Sequence, residues 1–189
     1  HVVVTRFSYR GYEAARAPMA GPHREVADPL EPARLQHRFR IFEFTTLPAL
    51  LAQSEQRFTW VIVVDPALAA VHSERLDALV SRRGPVRFIA HDPATDQRSF
   101  GWLRDHLSAG YAVTTNVDDD DSLPVDYVAR VRACAERAQD AGIPAGICAA
   151  GQILQWDLAT SDAAPLGWKA PWHRSTPYAS AGLSLFCRY

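Results

Sequence analysis

Among 189 residues there are only three cysteines, one methionine and no apolar run near the ~20 residues that a bilayer crossing needs. Cys134, Cys148 and Cys187 are odd in number and show no metal-ligand spacing, so neither a disulfide framework nor a zinc site is expected. Reduced thiols in a cytoplasm, serving as small packing residues, are the expectation instead. No signal peptide is recognisable. The chain is therefore expected to be soluble and cytoplasmic, without a transmembrane segment, peripheral contact with a membrane being left open. A net charge of -1 supplies no basic face, which excludes nucleic acid as the expected partner. Thr5 to Arg10 contains no glycine. The first strand thus lacks the glycine-rich phosphate loop expected of a nucleotidyltransferase. The chain opens at His1 directly into an apolar strand and stops at Tyr189 after another, so both ends are expected to be cut.

What is present is ordinary globular composition, 48% apolar and 22% charged, with one unusual stretch. Tyr111 to Val117 is a β-branched, apolar run with the length of a buried strand, and Pro124 stands where a first helical turn accepts it. Asp118, Asp119, Asp120 and Asp121 then occupy a strand-to-helix turn. Four anions so close repel, and each resists ionisation unless a cation or a set of donors compensates it. Mg²⁺ or Mn²⁺ would do so, because a hard cation takes oxygen ligands from one or two carboxylates and from substrate phosphates. The competing reading is a solvated acidic turn that favours the helix behind it. Position decides for the ligand, since open α/β sheets bind ligands at the carboxyl ends of central strands.

The remaining chain alternates. Val2 to Val4 is a short strand, and Arg6 at its carboxyl end either faces a diphosphate bidentately or forms a surface ion pair. Tyr9 to Pro32, with Gly11, Pro18, Gly21, Pro22 and Pro29, is expected as a long loop. From Ala33 onward Leu35, Phe39, Phe42 and Leu50 fall near helical spacing, and Pro48 breaks or kinks that helix. Phe58 to Val64 is the strongest strand signal, ended by Asp65, which either caps the next turn or reaches a ligand. A helix capped by Ser73 and running to Arg83, a strand at Val86 to Ala90 and a helix at Asp96 to Ala109 follow. Pro124 to Asp140 gives the helix behind the acidic turn. Gly146 to Ala150, Gln152 to Leu158 and Ala181 to Cys187 are extended, while Trp168, in the loop Ala159 to Pro177, either stacks on a sugar face or folds back on the core. Such alternation predicts an α/β fold. Its mostly parallel central sheet would carry right-handed crossovers and helices on both faces, within a single domain over residues 1–189.

Two segments carry a family resemblance. Leu47 to Gln53, ahead of Trp60 to Asp65, parallels a helix ending near a glutamine before a strand and its nucleotide-contacting aspartate. Asp118 to Pro124, with Asp126 and Tyr127, resembles a DxDD-x-L-x-P signature after the central strand. Over most of its length the chain is similar to family 2 type glycosyltransferases with the GT-A fold. Thr5 to Ser8, Phe58 to Trp60 and Ala181 to Ser184 look most similar to rhamnosyltransferases within that group. The resemblance implies metal-dependent transfer of a sugar from a nucleoside-diphosphate donor, such as dTDP-rhamnose, to a glycan or lipid-linked acceptor. It implies that Asp65 contacts the base or ribose, Asp118 the ribose or metal, and Asp120 the metal, with Asp121 on the signature's fourth position as a further metal ligand. Thr5, Arg6, Arg98 and Asp119 complete the expected substrate-side set, and Mg²⁺ or Mn²⁺ is the expected cofactor. No catalytic residue is assigned, because related enzymes carry the base in an acidic motif downstream of the segment resembling Ala181 to Tyr189. The alternative to a complete enzyme is a catalytically incomplete domain that holds a nucleotide sugar or glycan within a larger assembly.

Overall fold

The computed structural model describes residues 1–10, 28–81, 86–91, 110–149 and 182–188. Among these residues, six strands form one sheet: β1 (Val2–Phe7), β2 (Thr59–Val64), β3 (Val86–Ala90), β4 (Tyr111–Asn116), β5 (Ala145–Cys148) and β6 (Ser184–Arg188). Their order is β3-β2-β1-β4-β6-β5. β1 and β2 are nearly continuous runs of buried β-branched residues, the pattern of strands covered on both faces.

The pairings of β1 with β2, β1 with β4 and β2 with β3 are parallel, as expected, but β6 runs antiparallel to both β4 and β5. The mostly parallel expectation therefore holds for one half of the sheet and is corrected for the other. An apolar run has the same pattern read in either direction, so Ala181 to Cys187 carried no signal of its reversed course.

Helix α1 (Pro32–Phe44) begins where Glu31 accepts hydrogen bonds from the Ala33 and Arg34 N–H groups, with Pro32 at a first-turn position that needs no N–H. Leu35, Phe39 and Phe42 form its buried stripe. The break expected at Pro48 comes three residues earlier, at Thr45. Pro48 instead sits in the first turn of α2 (Thr46–Leu51), where its missing N–H is not required. Helix α3 (Ala70–Val80) starts ahead of the expected Ser73 cap, because the turn closed by Leu68 N–H on the Asp65 carbonyl leads straight into it. Helix α4 (Tyr127–Asp140) begins after the Pro124 turn rather than at Pro124.

These four helices all contribute to one core cluster with the Val3, Phe7, Trp60, Ile62, Val64, Val113 and Val117 side chains of the sheet segments. Each fully buried Phe or Leu there contributes about 1.5–3 kcal/mol. Val2, Val4, Val61 and Val63 are buried on the other face, with Tyr9 and Ile89 against them. The helix expected over Asp96 to Ala109, the strand over Gln152 to Leu158, Trp168 and Arg98 lie outside the described residues.

From β1 the chain builds β2 and β3 to one side, then places β4 on the other. Strand order thus reverses between β1 and β4, and in open α/β sheets such a reversal sets the binding crevice at the strands' carboxyl ends. β1 pairs with β2 along Val2 to Phe7 but with β4 only along Val2 to Val4.

Candidate functional site

The acidic turn emerges beside the end of β1, held there by the Val117 N–H donating to the Val4 carbonyl at 2.9 Å. Across the gap, Arg6 donates from Nη2 to Asp118 Oδ1 at 3.0 Å and to Asn116 Oδ1 at 3.4 Å. Just past the end of β1, Ser8 takes a φ of 44°, a left-handed conformation costing a non-glycine residue about 1–2 kcal/mol. That geometry sends the Ser8 N–H to Asp119 Oδ2 at 2.9 Å. Arg38, on α1, donates to Asp119 Oδ1 at 3.1 Å and to Asp120 Oδ2 at 2.5 Å. Asp121 folds back, its Oδ2 accepting from the Asp118 N–H at 3.3 Å.

The four carboxylates differ sharply in surroundings. The Asp119 side chain is 8% exposed and that of Asp120 43%. Burial pushes Asp119 up to about 6, against the pull of the Arg38 guanidinium and the Ser8 N–H. Burial, then the Asp118 and Asp120 charges, raises Asp121 to about 7. Four carboxylates meet two guanidiniums among these contacts, and the neighbouring carboxylate charges add to burial in raising both values.

The turn is clamped from beneath by α2. Thr46, fully buried, donates its hydroxyl to the Asp121 carbonyl at 2.8 Å and towards the Asp118 carbonyl at 3.3 Å. Gln53 donates to the Ala49 and Pro124 carbonyls at 3.0 and 2.8 Å and accepts the Val128 N–H at 3.0 Å. Tyr127 completes the anchoring by donating its hydroxyl to the Gly182 carbonyl.

At the end of β2, Asp65 is buried and gripped in a two-point contact by Arg10, at 2.8 Å from Nε and 2.7 Å from Nη2. The Arg10 guanidinium holds its carboxyl below the usual carboxylate range, and the Ala67 N–H adds a further bond. Thr5, expected on the substrate side, is instead fully buried within the sheet, its hydroxyl accepting from the Trp60 indole N–H at 3.0 Å. Arg6, Asp118, Asp119 and Asp120 come together at the carboxyl ends of β1 and β4, with the Asp121 side chain turned back onto the Asp118 N–H. Arg38, Arg10, Ser8 and Thr46 were not foreseen. Their partners lie 55 to 111 residues away in sequence, except that Ser8, at the end of β1, could be read as adjacent to any ligand there. Gln53 was visible in the resemblance, though not its role.

Among the described residues, no three His, Cys, Asp or Glu side chains are grouped to hold a metal ion by themselves. No helix among them is long and apolar enough to cross a membrane. No individual curated protein matches the chain at a significant level. A family model described as "Putative rhamnosyl transferase" matches residues 1–188. With that match running from the first strand through the last, the chain belongs to this rhamnosyl transferase family.

Proposed function

We propose that the chain is a GT-A type glycosyltransferase domain that transfers a sugar, rhamnose being the leading candidate, from a nucleoside-diphosphate donor lying across the ends of β1 and β4. Family membership gives sugar transfer in general. The donor, the metal and the acceptor are the proposal. The observation that carries it is the convergence of Arg6 with Asp118, Asp119 and Asp120 where strand order reverses.

The donor set suits a hard divalent cation. Its oxygen ligands outnumber the guanidiniums that neutralise them, and such a cation needs only one or two protein carboxylates when phosphate oxygens complete its shell. Asp118 and Asp120 would hold Mg²⁺ or Mn²⁺, with Asp121 behind them. When bound, the ion would neutralise charge on the departing nucleoside diphosphate. Arg6 would face the same phosphates, and Asp119 would keep Arg38 and the end of β1 in place. Asp65, with Arg10 across it, would border the nucleoside side. The acceptor would be a glycan or a lipid-linked sugar.

A nucleotide-sugar-binding domain without turnover is the second reading. It is favoured by one feature: each carboxylate of the acidic turn already accepts a hydrogen bond or ion pair, which leaves none of these four as a ready base.

A thermal-shift panel of nucleoside diphosphates with and without Mn²⁺ tests the binding proposal, since a ligand stabilises in proportion to its occupancy of the folded state. The midpoint should rise with one nucleotide and Mn²⁺ together, and Asp120→Ala should lose the metal-dependent part. Were no nucleotide to move the midpoint, or were Asp120→Ala to respond like the wild type, the proposal would fail. Release of free nucleoside diphosphate from its sugar conjugate then separates turnover from binding alone.

A further inference from the structure

We infer that Cys134 and Cys148 are a reversible dithiol–disulfide pair that ties helix α4 to strand β5. Their Sγ atoms lie 2.9 Å apart, about 1 Å beyond the ~2.05 Å of a bonded pair. Cys148 ends β5, opposite Ser184, and faces the core cluster beneath α4. Cys134 looks back at it from the middle of α4. Both thiols are half-buried, so a small reagent can reach them. The third cysteine is no competitor: Cys187 directly follows Phe186 on β6, so it faces away from the core side that Phe186 and Cys148 share.

The pair has the chemistry for stepwise exchange. Burial and the adjoining Cys134 thiol push Cys148 well above the ordinary thiol range, so the two do not ionise together. With a low-molecular-weight disulfide as oxidant, the thiolate formed by one proton loss attacks an oxidant sulfur and displaces one small thiolate. The second cysteine then loses its proton, attacks the mixed disulfide and displaces the other. Two protein S–H bonds are exchanged for one S–S bond. The oxidant takes up two electrons and two protons as two small thiols.

Among the described residues β5 pairs only with β6, so the crosslink fastens this end of the described sheet to the helix that leads out of the acidic turn. The inference does not depend on the glycosyl-transfer reading.

A Cys187→Ser protein removes the exposed thiol and serves as the test background. Folded protein exposed to oxidised glutathione should lose both remaining thiols to alkylation, with an intact mass lower by two hydrogens. A proteolytic digest should link the peptides carrying positions 134 and 148, and dithiothreitol should reverse the change. Closing a loop between positions 14 residues apart should raise the thermal midpoint by roughly 5 °C or more. Adding Cys134→Ser or Cys148→Ser should leave at most a glutathionyl adduct on the surviving thiol, with no upward shift. Glutathionylation without an internal link in the Cys187→Ser protein, or two thiols that stay free while the chain is folded, would overturn the inference.

Discussion

Gln53→Leu isolates the clamp under the acidic turn. Gln53 is 3% exposed and uses its whole side-chain amide: two bonds donated to the Ala49 and Pro124 carbonyls, one accepted from the Val128 N–H. Val128 is the second residue of α4, and Asp126 before that helix offers it no side-chain cap. A residue just past the end of α2 thus satisfies a helix N-terminus that would otherwise be orphaned. Leucine keeps the volume and removes all three bonds. A buried group left without its partner costs about 1–3 kcal/mol, and added apolar burial offsets part, so the net loss should be about 2–4 kcal/mol. Guanidinium unfolding should show this as a lower midpoint with an unchanged slope. Gln53→Glu sharpens the test, because a carboxylate still accepts from Val128 but meets two carbonyl oxygens in place of donors. It should be at least as damaging at neutral pH and recover in acid, where protonation restores one donor. If Gln53→Leu fell within about 0.5 kcal/mol of the wild type, the clamp would carry no energy and the reasoning would be wrong.

Metal-free protein should lose stability as pH rises from about 4 to about 7. Asp119 and Asp121, at about 6 and about 7 in the folded chain against 3.8 for the ordinary carboxyl, hold protons there that the unfolded chain has released. Asp119 alone accounts for about 3 kcal/mol of this slope. Denaturation in chelator across that range should reveal it, Mn²⁺ should flatten it, and a level profile in chelator would refute it. Asp65 behaves oppositely: Arg10 lowers it, so its contribution is present above the unfolded value near 4 and fades in acid. Asp65→Asn should therefore destabilise at neutral pH and draw closer to the wild type as the medium is acidified below the unfolded value near 4, a convergence absent if the Arg10 contact is idle. Gly146→Ala would drive a Cβ into the buried Phe186 ring, and unfolding should report a loss of about 1–3 kcal/mol, whereas a silent substitution would mean the ring yields freely.

The strands were legible because a short β-branched run ending in Asp, Pro or Gly is too brief for a stable helix and packs well on a pleated surface. β2, β3 and β4 fall within a residue or so of their expected limits. Helix starts were less so. Ser73 has the chemistry of a cap, but the Asp65 turn starts α3 before it, and tertiary contact replaces local capping at Val128. The acidic run was plain in the sequence, while its division of labour was not. Asp119 is held by the Ser8 N–H and by Arg38 and Asp120 by Arg38, partners that stand 111, 81 and 82 residues earlier in the chain. Periodicity carries no record of such a meeting, nor of the direction in which β6 enters the sheet.

The unequal ladders of β1 have a consequence for how the crevice can evolve. Because β4 stops zipping at Val4 while β2 continues to Phe7, the opening is a fork in the sheet itself, walled by backbone on one side. The width of such a fork is set by backbone pairing and not by surface segments, so on the proposed reading donor preference would drift through side chains at its tips. Two more residues of β4 pairing would close it altogether, whatever residues lined it.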